Sequence, residues 1–67
     1  MTNEHRIKIA FTYDEWARVS RAVSEAGTAD NDGHLFALAA RIEREMGHYA
    51  VAGTLEAAAT RAFGSHG

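Results

Sequence analysis

Apolar side chains occupy every second position near the start of the chain, from Ile7 to Phe11, and the positions between them are mostly charged or small. A period of two with β-branched and aromatic members is typical of a half-buried strand. The pattern predicts a strand over residues 5–11, after a frayed leader at 1–4. A lone strand leaves its edge unpaired, so we expect it to pair with the same strand of another copy. The candidate interface residues are Ile7, Ile9, Phe11 and Trp16.

The next segment predicts an amphipathic helix over residues 13–26. Thr12 is an N-cap candidate, and Glu15, three residues later, completes a capping-box pattern. Gly27 stands where a helix commonly stops. The apolar stripe expected to face the core recurs at helical spacing and consists of Trp16, Val19, Val23 and Ala26.

The rest of the chain predicts a polar linker at 27–34, a helix at 35–46, a third helix at 49–63 and a frayed tail at 64–67. Within the linker, Asp30, Asn31 and Asp32 are expected to form a turn and cap the second helix. The third helix has two interpretations, because Gly53 interrupts it and Thr54 could cap a shorter one; we favour the longer helix. The predicted fold is therefore α+β and mostly helical, with the order β-α-α-α in one domain over residues 1–67.

Composition favours self-association. Hydrophobic residues make up 46% of the chain, but fourteen of them are alanine, which contributes little buried area. A chain of 67 residues with so thin a core often completes it with a second copy, so we expect a homodimer. The net charge is −2, with both signs interspersed, which gives no general attraction to nucleic acid or anionic membrane. No signal-peptide pattern or membrane-spanning apolar stretch is evident, so a cytoplasmic location is expected.

Two patterns resemble metal sites only in part. Asp30, Asp32 and Gly33 match three positions of a calcium-binding EF-hand loop, but Ala39 stands where the bidentate glutamate is needed. Glu45 and His48 form a single Glu-x-x-His pair, whereas carboxylate-bridged di-iron bundles use two such pairs with further glutamates. No serine has a neighbouring base and acid. We therefore predict no metal, no cofactor and no catalytic residue, and the chain is not expected to be an enzyme.

The second half of the chain resembles a single tetratricopeptide helical hairpin at about residues 35–63. The inter-helix glycine, the tyrosine, the two alanines and the large apolar residue of that repeat correspond to Gly47, Tyr49, Ala52, Ala59 and Leu55. The resemblance implies two antiparallel helices that approach closely through small side chains. Since the repeat occurs once, it does not imply the peptide-binding groove of a repeat array.

Residues 6–27 resemble the opening of ribbon-helix-helix DNA-binding proteins. In that family the paired strands of a dimer enter the major groove of DNA. The resemblance implies that Arg6, Lys8 and Ala10 contact DNA while the alternate side chains face the helices. The linker at 27–34 is longer and more acidic than the turn of that family, and the third helix is additional.

The leading functional hypothesis is a small, non-enzymatic, self-associating interaction or regulatory protein that acts through contacts with an unidentified protein partner. The first alternative is a ribbon-helix-helix-like DNA-binding transcriptional regulator. The second is a binder of a small ligand or nucleotide, in a pocket between subunits lined by Tyr13, Arg18 and Arg21.

Overall fold

Three helices form the described part of the protein. The structure is a computed structural model that describes residues 9–64. Helix α1 spans Tyr13–Asp30, α2 spans Gly33–Glu45 and α3 spans Tyr49–Gly64. The principal contacts join α1 to α2 and α2 to α3, so α2 lies at the centre of the molecule.

The predicted α+β fold with an N-terminal strand is wrong, because residues 9–64 contain helices and no strand. Residues 5–8 of the predicted strand lie outside the described residues. The Phe11 amide donates locally to the Ile9 carbonyl at 3.2 Å. The Phe11 ring packs edge-on against Trp16, with ring centroids 4.8 Å apart. This contact joins the residue before the N-cap to the fourth helical residue and is a hydrophobic staple. The apolar position interpreted as the end of a strand therefore fixes the start of α1.

The predicted capping box at the start of α1 is confirmed. The Thr12 hydroxyl accepts from the Glu15 amide at 3.1 Å, and the Glu15 carboxylate accepts from the Thr12 amide at 2.8 Å. These two bonds satisfy donors that the first turn of a helix leaves without intrahelical partners.

The predicted stop at Gly27 and the linker at 27–34 are wrong. Helix α1 continues to Asp30 and ends at Asn31, which adopts the left-handed conformation with φ 50°. Asn31 tolerates this conformation better than most residues. Asp32 then caps α2, its carboxylate accepting from the amides of His34 and Leu35. Only Asn31 and Asp32 separate α1 from α2.

Gly27 serves as a point of close approach instead. It is buried inside α1. A Cβ there would lie 3.3 Å from the Leu35 Cβ and 3.4 Å from the Phe36 backbone nitrogen. The missing side chain lets the first turn of α2 pack directly on the last turns of α1.

A glycine turn closes α2 and sets the direction of the chain into α3. Gly47 has φ 86°, its amide donates to the Arg44 carbonyl at 3.0 Å, and the His48 amide donates to the Glu43 carbonyl at 2.9 Å. This pair of bonds is a Schellman motif, which favours glycine because a Cβ is strained at positive φ. The motif brings His48 back to the side of α2 that carries Glu43.

Helices α2 and α3 pack through small side chains. The longer version of α3 is the one observed, and it includes Gly53. Small side chains let helix axes approach closely but bury little apolar area each. At the rim, Arg44 forms an ion pair with Glu56 at 2.5 Å. The buried apolar residues of the described part are all alanines: Ala39, Ala40, Ala52, Ala59 and Ala62.

In the described part of the chain, no helix has the length and apolar character needed to cross a membrane.

Candidate functional site: the α1–α2 groove and its hydrogen-bonded rim

A long apolar groove runs between α1 and α2. The preceding segment and α1 line one wall, and the outward side of α2 lines the other. We call it the α1–α2 groove; its lining consists of Ile9, Phe11, Tyr13, Trp16, Val19, Val23, Leu38, Arg41, Ile42, Glu45 and Met46.

The groove leaves large apolar side chains uncovered. Ile9 is 51% exposed, Phe11 39% and Leu38 44%. Single exposed apolar residues are ordinary on protein surfaces, but a contiguous set along one groove is a candidate interaction surface. Here the exposed set continues into the half-buried side chains of Trp16 and Ile42.

Two opposite charges lie on the α2 wall of the groove. Arg41 and Glu45 are one helical turn apart and both line the groove. Residues at this spacing are neighbours on one helix face. The rest of the lining is apolar apart from the Tyr13 hydroxyl, so these two residues carry the formal charge of the groove.

A chain of hydrogen bonds at the rim of the groove joins α1 to α2 and to the turn that precedes α3. Tyr13 of α1 bonds through its hydroxyl to Nε2 of His48 at 2.5 Å, and Nδ1 of His48 bonds to Oε1 of Glu43 at 2.7 Å. The hydroxyl of Ser20, which is 2% exposed, donates to the other carboxylate oxygen of Glu43. We call this the Tyr13–His48–Glu43–Ser20 chain.

The carboxylate at the centre of this chain is held in its ionised form. The hydrogen bond from Ser20 is the largest cause of a lowered pKa at Glu43, and the hydrogen bond and charge of His48 lower it further against the opposing effect of burial. The Glu43 side chain is 12% exposed, so most of it is screened from water. An ionised Glu43 only accepts hydrogen bonds, which requires the proton on Nδ1 of His48.

That proton position leaves Nε2 of a neutral His48 as an acceptor facing the Tyr13 hydroxyl. The Tyr13 oxygen also lies 3.1 Å from the Met46 carbonyl, which is an alternative acceptor for the single phenol proton. When His48 carries a second proton, Nε2–H donates to the Tyr13 oxygen and the phenol proton turns to Met46. The same positions of Tyr13, His48 and Met46 thus accommodate both placements of the phenol proton, on the side of Nε2 and on the side of the Met46 carbonyl.

The structure brings together three of the four residues predicted to form an oligomer interface. Ile9, Phe11 and Trp16 all line the α1–α2 groove, although on a helix entry instead of a strand. Ile7 lies outside the described residues. Of the candidate DNA-contacting residues, Ala10 is exposed, and Arg6 and Lys8 lie outside the described residues.

The candidate ligand-binding residues do not converge on one site. Tyr13 lines the groove. Arg18 and Arg21 lie on a different side of α1, with Asp14 and Glu25 as neighbours along a shallow surface. A pocket formed by Tyr13 with both arginines is therefore not present within one copy of the described chain.

Sequence reasoning missed the Tyr13–His48–Glu43–Ser20 chain. It compared His48 with Glu45, whereas the imidazole bonds Glu43 because the Gly47 turn reverses the backbone. A glycine two to four residues after a helical glutamate and just before a histidine is the available signal. Within residues 9–64, no three His, Cys, Asp or Glu side chains are grouped to hold a metal ion.

No family model matches this sequence, and no curated protein or solved structure is detectably similar to it. The geometry of the described residues must therefore carry the functional argument.

Proposed function

We propose that the protein is a small, non-enzymatic interaction protein that self-associates by placing the α1–α2 groove of one copy against the same groove of a second copy. The single observation that carries the proposal is the contiguous apolar groove with its exposed Ile9, Phe11 and Leu38. Burying an apolar side chain fully is worth about 1.5–3 kcal/mol, and covering the exposed parts of these side chains supplies part of that toward the cost of association.

The charges of the groove favour a second copy as its occupant. In a two-fold dimer, a residue of one copy meets a different residue of the other, and the contact occurs twice. Antiparallel contact of the two α2 helices near residue 43 would place Arg41 of each copy opposite Glu45 of the other. The groove is thus complementary to itself in charge as well as apolar.

The test uses charge reversal at these two positions. Arg41→Glu gives two negative charges on the α2 wall, and Glu45→Arg gives two positive charges. Each variant alone repels a copy of itself, while a mixture of the two restores opposite charges across the interface. We expect sedimentation velocity to show wild-type dimers, monomers of either variant alone, and dimers when the two variants are mixed in equal amounts.

Mixing is decisive because it leaves each chain's own stability unchanged. Each variant has a like-charge pair one turn apart, which costs about 0.2–0.5 kcal/mol whether or not the other variant is present. Arg18→Glu, a reversal on another side of α1, is the matched control and should dimerise like the wild type. A wild-type protein that stays monomeric, or single variants that dimerise unaided, would refute the proposal.

A further inference from the structure

We propose that Tyr13 is a base-activated nucleophile that accepts an acyl group from an activated acyl donor, with His48 as the base and Glu43 and Ser20 as positioning residues. The site is the Tyr13–His48–Glu43–Ser20 chain at the end of the α1–α2 groove. The step modifies the protein itself once and does not turn over, so it does not make the protein an enzyme. A second copy on the groove would cover Tyr13, so the labelling is done on Arg41→Glu, which the proposed function predicts to be monomeric, as well as on the wild type.

The geometry has the three parts that an activated nucleophile needs. A hydroxyl lies within hydrogen-bond reach of a base, and the base is oriented by a third group. Here the Tyr13 oxygen lies 2.5 Å from Nε2 of His48, and Glu43 lies 2.7 Å from Nδ1. A carboxylate on Nδ1 selects the imidazole tautomer whose Nε2 can take a proton.

The base is fixed in place from several directions. The Schellman bond between the His48 amide and the Glu43 carbonyl holds the backbones of the two residues together. The buried Ser20 hydroxyl anchors the far oxygen of Glu43. The Tyr13 and His48 rings meet edge-on, with centroids 5.6 Å apart. The ionisable partners of the imidazole are thus Tyr13 from α1 and Glu43 from α2, while Glu56 of α3 is engaged by Arg44.

The nucleophile is accessible. Tyr13 is 56% exposed, and it lies beside the apolar lining of the groove. Phe11, Trp16 and Met46 offer an apolar surface to a hydrocarbon chain, whereas the only cation in the groove lining is Arg41. These surroundings favour an acyl group over a phosphoryl group.

The reaction balances without a further reactant. The Tyr13 oxygen attacks the carbonyl carbon of a thioester or another activated acyl compound as Nε2 of His48 takes the phenol proton. The bond from the carbonyl carbon to the leaving group breaks, and His48 returns the proton to that group. The products are an acyl ester on Tyr13 and the protonated leaving group.

Tyr49 provides an internal control for the experiment. It is 69% exposed, more than Tyr13, and no base contacts its hydroxyl among the described residues. The protein is treated with N-acetylimidazole, and acetylation of the two tyrosines is followed by peptide mass spectrometry. Release by hydroxylamine confirms the ester. General-base assistance in proteins is typically worth about 100- to 10,000-fold, so we expect Tyr13 to react at least about tenfold faster than Tyr49.

The dependence on pH separates activation from exposure. Only an unprotonated Nε2 of His48 can accept the phenol proton, so the ratio of Tyr13 to Tyr49 labelling should depend on pH. Tyr49, whose hydroxyl bonds no base among the described residues, provides the reference profile. Parallel profiles for the two tyrosines would overturn the proposal, and this comparison needs no variant.

Variants test each role. His48→Gln should remove the preference for Tyr13, while His34→Gln, whose imidazole packs against the Phe63 ring, should retain it. Glu43→Gln should lower the preference and displace the Tyr13 profile along the pH axis. Circular dichroism monitors folding of each variant. Equal labelling of the two tyrosines in both the wild type and Arg41→Glu, or an unchanged preference in a folded His48→Gln protein, would refute the assignment.

The apolar groove makes a second prediction about the acyl group. Octanoylimidazole should favour Tyr13 over Tyr49 more strongly than acetylimidazole does, because only Tyr13 has an adjacent apolar surface. The labelling is repeated with Arg41→Glu, so that contact between copies does not shield Tyr13. A ratio that does not depend on chain length would contradict a role of the groove in holding the acyl chain.

Discussion

The two sides of α2 are built in opposite ways. Towards α3 it presents small side chains, and the interface is buried and closed. Towards α1 it presents Leu38, Ile42 and Met46, which meet large side chains of α1 only along one edge and leave a groove. The α2–α3 interface, which has the smaller side chains, is thus the one that leaves no apolar groove open to solvent.

This difference shows how a chain of 67 residues divides its apolar side chains. Alanine contacts let α2 and α3 pair closely with few large side chains, among them Phe63 against Gly33 and His34, so other large side chains remain available for the outward side. A core of alanines supplies little hydrophobic stabilisation, since stabilisation follows the apolar area removed from water. Burial of the larger side chains in the α1–α2 groove is what a second copy would add.

The largest loss of stability is expected from enlarging a buried alanine in the α2–α3 interface. Ala52 is 0% exposed, so Ala52→Leu must push α2 and α3 apart. Overpacking typically costs about 1–3 kcal/mol, and we expect about 3 kcal/mol here because Ala52 is fully buried. Urea unfolding followed by circular dichroism measures the change.

The matched control for that substitution is Ala57→Leu. Ala57 is exposed on the same helix, and leucine is nearly as good a helix former as alanine. Its free energy of unfolding should stay within about 0.5 kcal/mol of the wild type. Equal losses in both variants would mean that the α2–α3 contact is not closely packed.

The next largest loss of stability is expected from removing the Ser20–Glu43 hydrogen bond between α1 and α2. Ser20→Ala removes the hydrogen bond to the Glu43 carboxylate, and bonds to charged groups are worth about 1.5–3 kcal/mol. The lowered pKa of Glu43 sets the sign of the pH dependence. The stabilisation is fully present above the ordinary carboxyl pKa of 4.5 and is lost as pH falls through the lower pKa of the folded state.

The wild type and Ser20→Ala should therefore differ most near neutral pH and converge in acid. Urea unfolding at a series of pH values measures the difference. Ser24→Ala, one turn further along α1, is the control and should change stability by less than about 0.5 kcal/mol. A difference that grows as pH falls would contradict the role given to Glu43.

Local signals identified the capping residues at the starts of α1 and α2, but not the end of α1. The Thr12 capping box and the Asp32 cap depend on residues two or three positions apart, so the sequence alone specifies them. The strand was wrong because Phe11 satisfies both an alternating pattern and a hydrophobic staple, and only its packing on Trp16 decides between them. Gly27 was misassigned because a glycine that ends a helix and one that admits a neighbouring helix look alike in sequence.

The groove and its hydrogen-bonded rim also differ in how far the sequence alone predicts them. Phe11 and Trp16 are candidate interface residues on the expectation of a strand paired between copies, and they line the groove from a helix entry instead. Ser20 and Glu43 are 23 residues apart, and their contact depends on how α1 crosses α2. No short-range pattern contains that information, so the Ser20–Glu43 link could not be predicted from spacing, whereas the His48–Glu43 link depends on residues five positions apart.

A substitution in the groove sharpens the contrast between the two sides of α2. Leu38 is 44% exposed, so Leu38→Gln should leave the stability of the monomer within about 0.5 kcal/mol. If the groove is covered in a dimer, losing the buried leucine should weaken dimerisation about tenfold, the equivalent of 1.4 kcal/mol. Sedimentation equilibrium measures the dimer dissociation constant.

Val51→Gln is the control for Leu38→Gln, because Val51 is 49% exposed on α3 and does not line the groove. It should not change the dissociation constant. The opposite result, with Val51→Gln weakening the dimer and Leu38→Gln having no effect, would move the interface from the groove to α3.

The smallest effect on stability is expected at the edge of the α2–α3 interface, where Arg44 and Glu56 form an ion pair. The two side chains are 44% and 50% exposed. Exposed pairs contribute about 0.2–1 kcal/mol, because water and salt screen the charges and holding two long side chains in place costs entropy. A double-mutant cycle with Arg44→Gln and Glu56→Gln should give a coupling energy in this range that shrinks as salt is added. A coupling as large as the expected loss in Ala52→Leu would mean that the rim charges, and not the alanine contact, hold α2 and α3 together.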